Sequence, residues 1–166
     1  MGKAAPGKTN AMRELERAGI AYEARVYETD DSSPASGYGV HVAELLGEDP
    51  AASFKTLVCD AASGGHVVCC IPVAAELDLK RAAAAAGEKL LTMMHMADLE
   101  RVTGYVRGGC SPVGMKKRFA TVIDETAVLF DAIGISGGRR GLSLLVAPEA
   151  LAEHLGAVFA DIAREA

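Results

Sequence analysis

Helix-forming and strand-forming segments follow one another irregularly along this chain, which favours a mixed sheet with flanking helices over a doubly wound β-α-β fold. Thr9 or Asn10 can cap a first helix, whose apolar side is Ala11, Met12, Leu15 and Ala18, and Gly19 ends it. Ala21 to Tyr27 alternates. Tyr22, Ala24 and Val26 share one face and Glu23, Arg25 and Tyr27 the other, so a half-buried strand is expected. Thr29 to Tyr38 is polar and turn-rich and reads as a loop, and Val40 to Leu46 as a short helix stopped by Gly47. Phe54 to Asp60 and His66 to Val73 predict a hairpin around an Ala-Ala-Ser-Gly-Gly turn. Leu77 to Ala86, closed by Gly87, reads as a helix, as does Met96 to Thr103, closed by Gly104. Three strands are expected at Thr121 to Asp124, Ala132 to Ser136 and Gly141 to Val146, separated by turns at Asp124-Glu125 and Gly137-Gly138. Pro148 opens a helix of Glu149 to Leu155, and Ala157 to Glu165 also reads as helical.

The expected class is α+β in a single domain of residues 9–166, preceded by a flexible tail of residues 1–8. At 166 residues the chain buries enough surface to need no staples. Half the residues are hydrophobic and few are aromatic, so the core is built from Ala, Val, Leu and Ile. A net charge of -5 argues against coating nucleic acid through bulk charge but leaves room for a local basic face. Cys59, Cys69, Cys70 and Cys110 form no C-x-x-C pair and no disulfide framework. No signal peptide and no bilayer-spanning apolar run is legible, and Pro6 blocks an N-myristoylation signal. A reducing cytoplasm is the simplest compartment, with no membrane partner expected.

The densest chemical signal is Gly104 to Lys117, in which four glycines and Pro112 lead into Lys116, Lys117 and Arg118. Glycine lets backbone approach a ligand closely, and basic neighbours attract an anion. A P-loop fails, because Met115 separates Gly114 from the lysines and no Ser or Thr follows. Ser136 to Gly141 is a second glycine-basic turn, carrying Arg139 and Arg140. Lys80 with Arg81, Lys116 to Arg118, and Arg139 with Arg140 make a phosphate-contacting face if the fold gathers them; otherwise they are solvated charges.

Other chemistries are weakly supported. His41 and Glu44 lack an H-E-x-x-H frame, and His95 among Met93, Met94 and Met96 reads as packing more readily than as soft-metal ligation. No metal and no cofactor is expected. Ser111 and Ser136 lack a G-x-S-x-G frame, and no Ser-His-acid set is legible. Cys110 beside basic residues is open to a depressed pKa, or to a steric role in a tight loop. Lys55, among Phe54, Leu57 and Val58, reads on its own as a solvated edge residue. Tyr27 is the odd aromatic on the polar face of its strand.

Taken in order, several segments resemble the YbaK/EbsC family of aminoacyl-tRNA deacylases. They are Lys8 to Met12, Tyr27-Glu28, Phe54 to Leu57, Leu77 to Lys80, Gly104 to Lys117, Ile123 to Glu125, Ser136 to Leu142 and Phe159 to Ala163. The resemblance implies a barrel-like β core with surrounding helices and one cleft. It is strongest to the branch that removes cysteine from tRNA(Pro), with Cys-tRNA(Cys) as a further substrate. The alanine-specific tRNA(Pro) editing branch, which shares the G-x-x-x-P loop (Gly108 to Pro112 here), is the alternative. A non-catalytic tRNA or synthetase adaptor and a small-molecule anion binder are rivals of other kinds.

The partners implied are aminoacyl-tRNA and, transiently, prolyl-tRNA synthetase. Carried over, Lys55, Gly108 and Gly109 are the catalytic set, the glycines donating backbone N–H groups to the ester. Tyr27, Cys110, Ser111, Pro112, Ser136 and Gly137 are expected at the substrate. Lys80, Lys116, Lys117, Arg118, Arg139 and Arg140 are expected at tRNA phosphates. Ser143 departs from the family pattern, in which many relatives carry an aspartate. The resemblance further implies release of the tRNA by attack of the substrate's own thiol on its carbonyl.

Overall fold

Residues 54–72 form the hairpin on which the rest of the protein is assembled. The computed structural model describes residues 7–28 and 38–166. Residues 1–6 of the expected tail and 29–37 of the expected loop lie outside the described residues. In chain order the elements are helix α1 (Asn10–Arg17), strand β1 (Tyr22–Val26), α2 (Tyr38–Leu46), β2 (Phe54–Ala61), β3 (His66–Pro72), β4 (Ala75–Leu77) and α3 (Leu79–Ala86). Then come β5 (Leu91–Met93), a 3-10 turn (Met96–Asp98), α4 (Leu99–Thr103), β6 (Ala120–Asp124) and a second 3-10 turn (Glu125–Leu129). The chain closes with β7 (Ile133–Ser136), β8 (Leu142–Val146), α5 (Pro148–Leu155), β9 (Val158–Ala160) and β10 (Ala163–Glu165).

A five-stranded mixed sheet runs β5-β2-β3-β6-β9, with β2 antiparallel to β3 and β6 parallel to it. Its two faces carry two apolar cores. Val58, Val68, Cys70 and Ile123 turn to one, with Leu15, Ile135, Leu144 and Leu151. Cys59, Val67, Cys69, Ile71 and Val122 turn to the other, with Ala82 and Ala83 of α3 and Ile162. Covering on both faces explains why His66 to Pro72 is almost continuously apolar rather than alternating.

A second, three-stranded sheet runs β1-β8-β7. Among the described residues it meets the first through a single parallel bridge between Ser53 and Gly134, with Gly134 N donating to Ala52 O at 2.9 Å. The sheets therefore approach without closing into a barrel, within the expected single α+β domain of mixed sheet and surrounding helices. The cleft lies along this gap.

Local rules place several ends. Thr9 Oγ1 accepts from Met12 N at 3.2 Å and starts α1, and Asp78 accepts from Arg81 N at 3.1 Å and starts α3. Leu77, expected in that helix, instead ends β4. Ala157 to Glu165 is not helical: β9 pairs parallel with β6, and β10 antiparallel with β4. Sheet pairing with distant strands overrides the helix propensity of an alanine-rich tail. The buried Asp124 fixes this arrangement, its Oδ1 accepting from Ile162 N and Ala163 N, each at 3.1 Å.

Strand β1 also departs from expectation. Val26 is 78% exposed, and Arg25 and Tyr27 turn inward, where Glu48 and Tyr38 partner them.

Candidate active site

The gap between the two sheets holds a cleft of about 450 Å³. Lys55, Thr56 and Leu57 of β2 line one side, and Ile135, Ser136 and Ser143 of β7 and β8 the other. Tyr38, Val42 and Ala43 of α2 cover one flank, and Met93, Met94, His95 and Met96 another. Arg107, Gly108 and Cys110 of the glycine loop, with Arg140 of the second glycine turn, complete it.

Lys55 is not a solvated residue. It pairs with Ile71 of β3, β5 joins β2 only at Cys59 to Ala61, and the Lys55 side chain is half-buried at the cleft. Burial lowers its ammonium pKa, and Glu76 opposes that shift only in part. Desolvation eases release of its proton, which suits a group that handles charge or protons.

The glycine loop is held shut from within. Thr103 Oγ1 accepts from Tyr105 N at 3.0 Å and donates to Leu99 O at 2.8 Å. Tyr105 Oη donates to Val113 O at 2.7 Å. Gly108 adopts φ +83°, a left-handed conformation that glycine takes without strain, and it faces the cleft. Among the described residues its N–H donates to no group of the protein. Gly109 differs. Its N–H donates to Val106 O at 2.9 Å, so the expectation of a free donor there is corrected. Gly109 instead lets two loops touch, because a Cβ on it would lie 2.8 Å from Arg139 Cα.

The second turn supplies Arg140, whose guanidinium stacks over Tyr38, 4.9 Å from the ring centroid. Among the described residues, its buried Nε has no hydrogen-bond partner. A buried unpaired donor at the wall of a cleft suits an anionic or carbonyl ligand. Tyr27 lines the same wall, its hydroxyl 3.5 Å from that of Tyr38, and burial raises its pKa.

Other expected residues fall elsewhere. Ser111 is fully buried inside the loop, with Val113 N at 3.5 Å from its Oγ, and does not line the cleft. Pro112 faces a separate cavity of about 30 Å³ together with Lys117 and Arg118. Gly137 is committed to its hairpin, its N–H donating to Leu142 O at 2.8 Å. Ser136 lines the cleft, but its Oγ already accepts from Gly138 N at 3.2 Å. The cleft thiol of Cys110 has its pKa raised to about 12 by burial, which corrects the depressed value open to it from sequence.

The basic residues are not gathered at one place. Arg107 and Arg140 border the cleft, whereas Lys80 belongs to α3, which packs on the opposite face of the main sheet. Lys116 Nζ donates to Arg101 O at 3.2 Å, Arg139 to Gly7 O at 3.0 Å, and Arg118 to His154 O.

Sequence reasoning missed Tyr38, Arg107 and Glu48. Glu48 is a buried carboxylate in the same wall as Ser143, and Ser53 Oγ donates to its Oε2 at 3.0 Å. An acid therefore does stand in the cleft, in the same lining as Ser143. No local signal marks it, since Arg25 and Gly134, which border it, are far away in the chain.

The fold and cleft define a small α+β domain whose cleft presents Lys55, Arg107 and Arg140. Residues 34–154 match the aminoacyl-tRNA editing domain family. The chain is 44% identical over 156 residues to a protein of Enterococcus faecalis assigned as a Cys-tRNA(Pro)/Cys-tRNA(Cys) deacylase, EbsC, with 93% of each chain covered. The crystal structure of hypothetical protein APE2540 superposes with a TM-score of 0.83 at 23% identity, covering 94% of this chain and 100% of that one. That of a protein described as a trans-editing enzyme for prolyl tRNA synthetase superposes with a TM-score of 0.77 at 21% identity, covering 93% of this chain and 95% of that one. This chain belongs to the aminoacyl-tRNA editing domain family, and its fold is the one these two structures share.

Proposed function

We propose that this protein is a trans-editing deacylase that removes cysteine from tRNA(Pro), and from tRNA(Cys) as a second substrate. The observation that carries the reading is a cleft lined by one desolvated lysine, Lys55, and by a Gly108 N–H that has no acceptor among the described residues, with no serine-histidine-acid set among its described lining residues. The relationship to the Enterococcus faecalis protein supports the cysteinyl substrate.

An aminoacyl ester is already activated, so orientation and charge stabilisation can suffice. The cysteine sulfur attacks its own carbonyl carbon. The C–S bond forms, the bond to the tRNA 3′-oxygen breaks, and the thiol proton passes to that oxygen. The products are free tRNA and a cysteine thiolactone. Gly108 N–H donates to the carbonyl oxygen as it gains charge, a contact worth about 3 kcal/mol when well placed. Lys55 steadies the leaving 3′-oxygen. Arg107 and Arg140 meet terminal phosphate at the mouth. A small pocket alone separates cysteine from alanine poorly, whereas a required substrate thiol separates them well. The high pKa of Cys110 argues against a protein thiolate as nucleophile. Prolyl-tRNA synthetase is the proposed transient partner, handing over the mischarged tRNA.

The test is a panel of Cys-tRNA(Pro), Ala-tRNA(Pro), Ser-tRNA and Cys-tRNA(Cys), with Lys55→Ala as control. Cleavage of the cysteinyl esters, lost in the control, is expected. Preference for the alanyl ester assigns the protein to alanine editing. Salt-sensitive tRNA binding without cleavage makes it an adaptor, and a thermal shift with nucleotides alone makes it an anion binder.

A further inference from the structure

An aminoacyl ester differs from a peptidyl ester in one charge: its amine is free and becomes a cation when protonated. A closed site must pair that cation or leave it buried and unsatisfied. Among the described residues, Glu48 is the sole carboxylate lining the cleft, against Lys55, Arg107 and Arg140. Its side chain is 8% exposed. A carboxylate accepts about four hydrogen bonds. Here Oε2 takes one from Ser53 Oγ at 3.0 Å, and Oε1 has a loose one from Arg25 Nη1 at 3.4 Å. Arg25 is also shared with Glu23, at 3.7 Å, so it does not fully neutralise Glu48.

Three separate segments hold this carboxylate in place. Helix α2 ends on Gly47, at φ +68°, and Glu48 N donates back to Ala43 O at 2.9 Å, which turns the side chain toward the sheet gap. Ser53 anchors it from the start of β2. Gly134 on β7 leaves the space, because a Cβ there would lie 2.9 Å from Glu48 Oε2. A merely solvated acid would need none of this.

We propose that Glu48 is a substrate-binding residue that takes the α-ammonium group of the aminoacyl ester, restricting the enzyme to esters with a free amine; the inference rests on the deacylase reading above. Gly108 and Lys55 would then hold the ester end while Glu48 holds the amine, fixing the side-chain thiol between them. Esters of N-acylated amino acids, peptidyl-tRNA included, lack the cation and present an acyl group to the same wall.

The experiment is a cycle of two proteins and two substrates, wild type and Glu48→Gln on the cysteinyl ester and on the 3-mercaptopropionyl ester of the same tRNA. The second ester keeps the thiol and lacks the amine. Each kcat/KM is divided by the uncatalysed rate of that ester. Removing the amine is expected to slow wild type about tenfold to a hundredfold, as is Glu48→Gln on the cysteinyl ester, and the two losses together should not multiply. Losses that do multiply overturn the proposal, since Glu48 would then act without touching the amine. Equal wild-type rates on the two esters overturn it without any variant, should Glu48→Gln fail to fold. Arg25→Gln, which removes the ion pair and keeps the carboxylate, should retain the preference for the free amine. Wild type that cleaves neither ester refutes the deacylase reading itself, and the inference falls with it.

Discussion

Replacing Gly109 with alanine tests whether the two glycine-basic turns form one unit. The added Cβ would stand 2.8 Å from Arg139 Cα, 2.9 Å from Arg139 C and 3.0 Å from Arg140 N. All three atoms are backbone, so no side chain can swing away. Reaching ordinary contact at 3.4 Å requires the loops to part by about 0.6 Å. Overpacking of this kind costs about 1–3 kcal/mol, which for a chain of this length lowers Tm by about 2–12 °C. The same displacement moves Arg140 off Tyr38 and away from Gly108, so activity well below Tm should fall about tenfold or more. Gly65→Ala is the control, because nothing lies within 4 Å of its Cβ. Thermal unfolding and a deacylation time course on both variants decide the matter. If Gly109→Ala melts with Gly65→Ala and keeps full activity, the packing of the two turns is refuted.

Three further outcomes follow from the cleft and its supports. Lys55→Met should abolish deacylation yet retain or raise Tm at neutral pH. The folded pKa of Lys55 lies below the unfolded one, so the charged folded form bears a desolvation cost at pH values below the folded pKa. That cost fades as pH rises toward the unfolded value near 10.4, so the stabilisation should shrink in the same direction. A clear loss of Tm at pH 7 would contradict this account. Cys110→Ser should keep deacylation within about threefold, and the native thiol should alkylate slowly at pH 8, since its pKa is raised to about 12; abolished activity would install Cys110 as nucleophile. Asp124→Ala should cost about 2–4 kcal/mol in urea unfolding, because it orphans the Ile162 and Ala163 amides as well as Thr126 N and Oγ1. A loss below about 0.5 kcal/mol would show that β9 and β10 do not depend on it.

Features that depend on a few neighbouring residues are legible in the amino-acid sequence. Thr9 caps its helix, Gly87 and Gly104 close theirs, and the hairpin of β2 and β3 forms from adjacent apolar runs. The glycine loop is legible for the same reason, because left-handed glycines and a proline are a local conformational code. Features that depend on distant partners are not. Residues 157–165 have helical composition, and only pairing with β6 and β4 makes strands of them. The alternation in β1 points its apolar residues inward, which holds at Tyr22, but at the far end of the strand Arg25 and Tyr27 turn in instead and find partners at the cleft. Gly109 is legible as a glycine that backbone must approach; that the approaching backbone is Arg139 is not.

The sequence by itself determined the cap of the first helix, the glycines that close helices, the hairpin, the place of the glycine loop and, through family resemblance, the presence of Lys55 at a site. These rest on short-range sterics or on residue order, both of which a linear string carries. Tertiary structure alone decided that Ser111, Pro112 and Gly137 stay out of the cleft while Arg140, Tyr38 and Glu48 enter it. The physical reason is that the cleft is a gap between two sheets joined by the bridge at Ser53 and Gly134, so its membership follows from how distant strands meet.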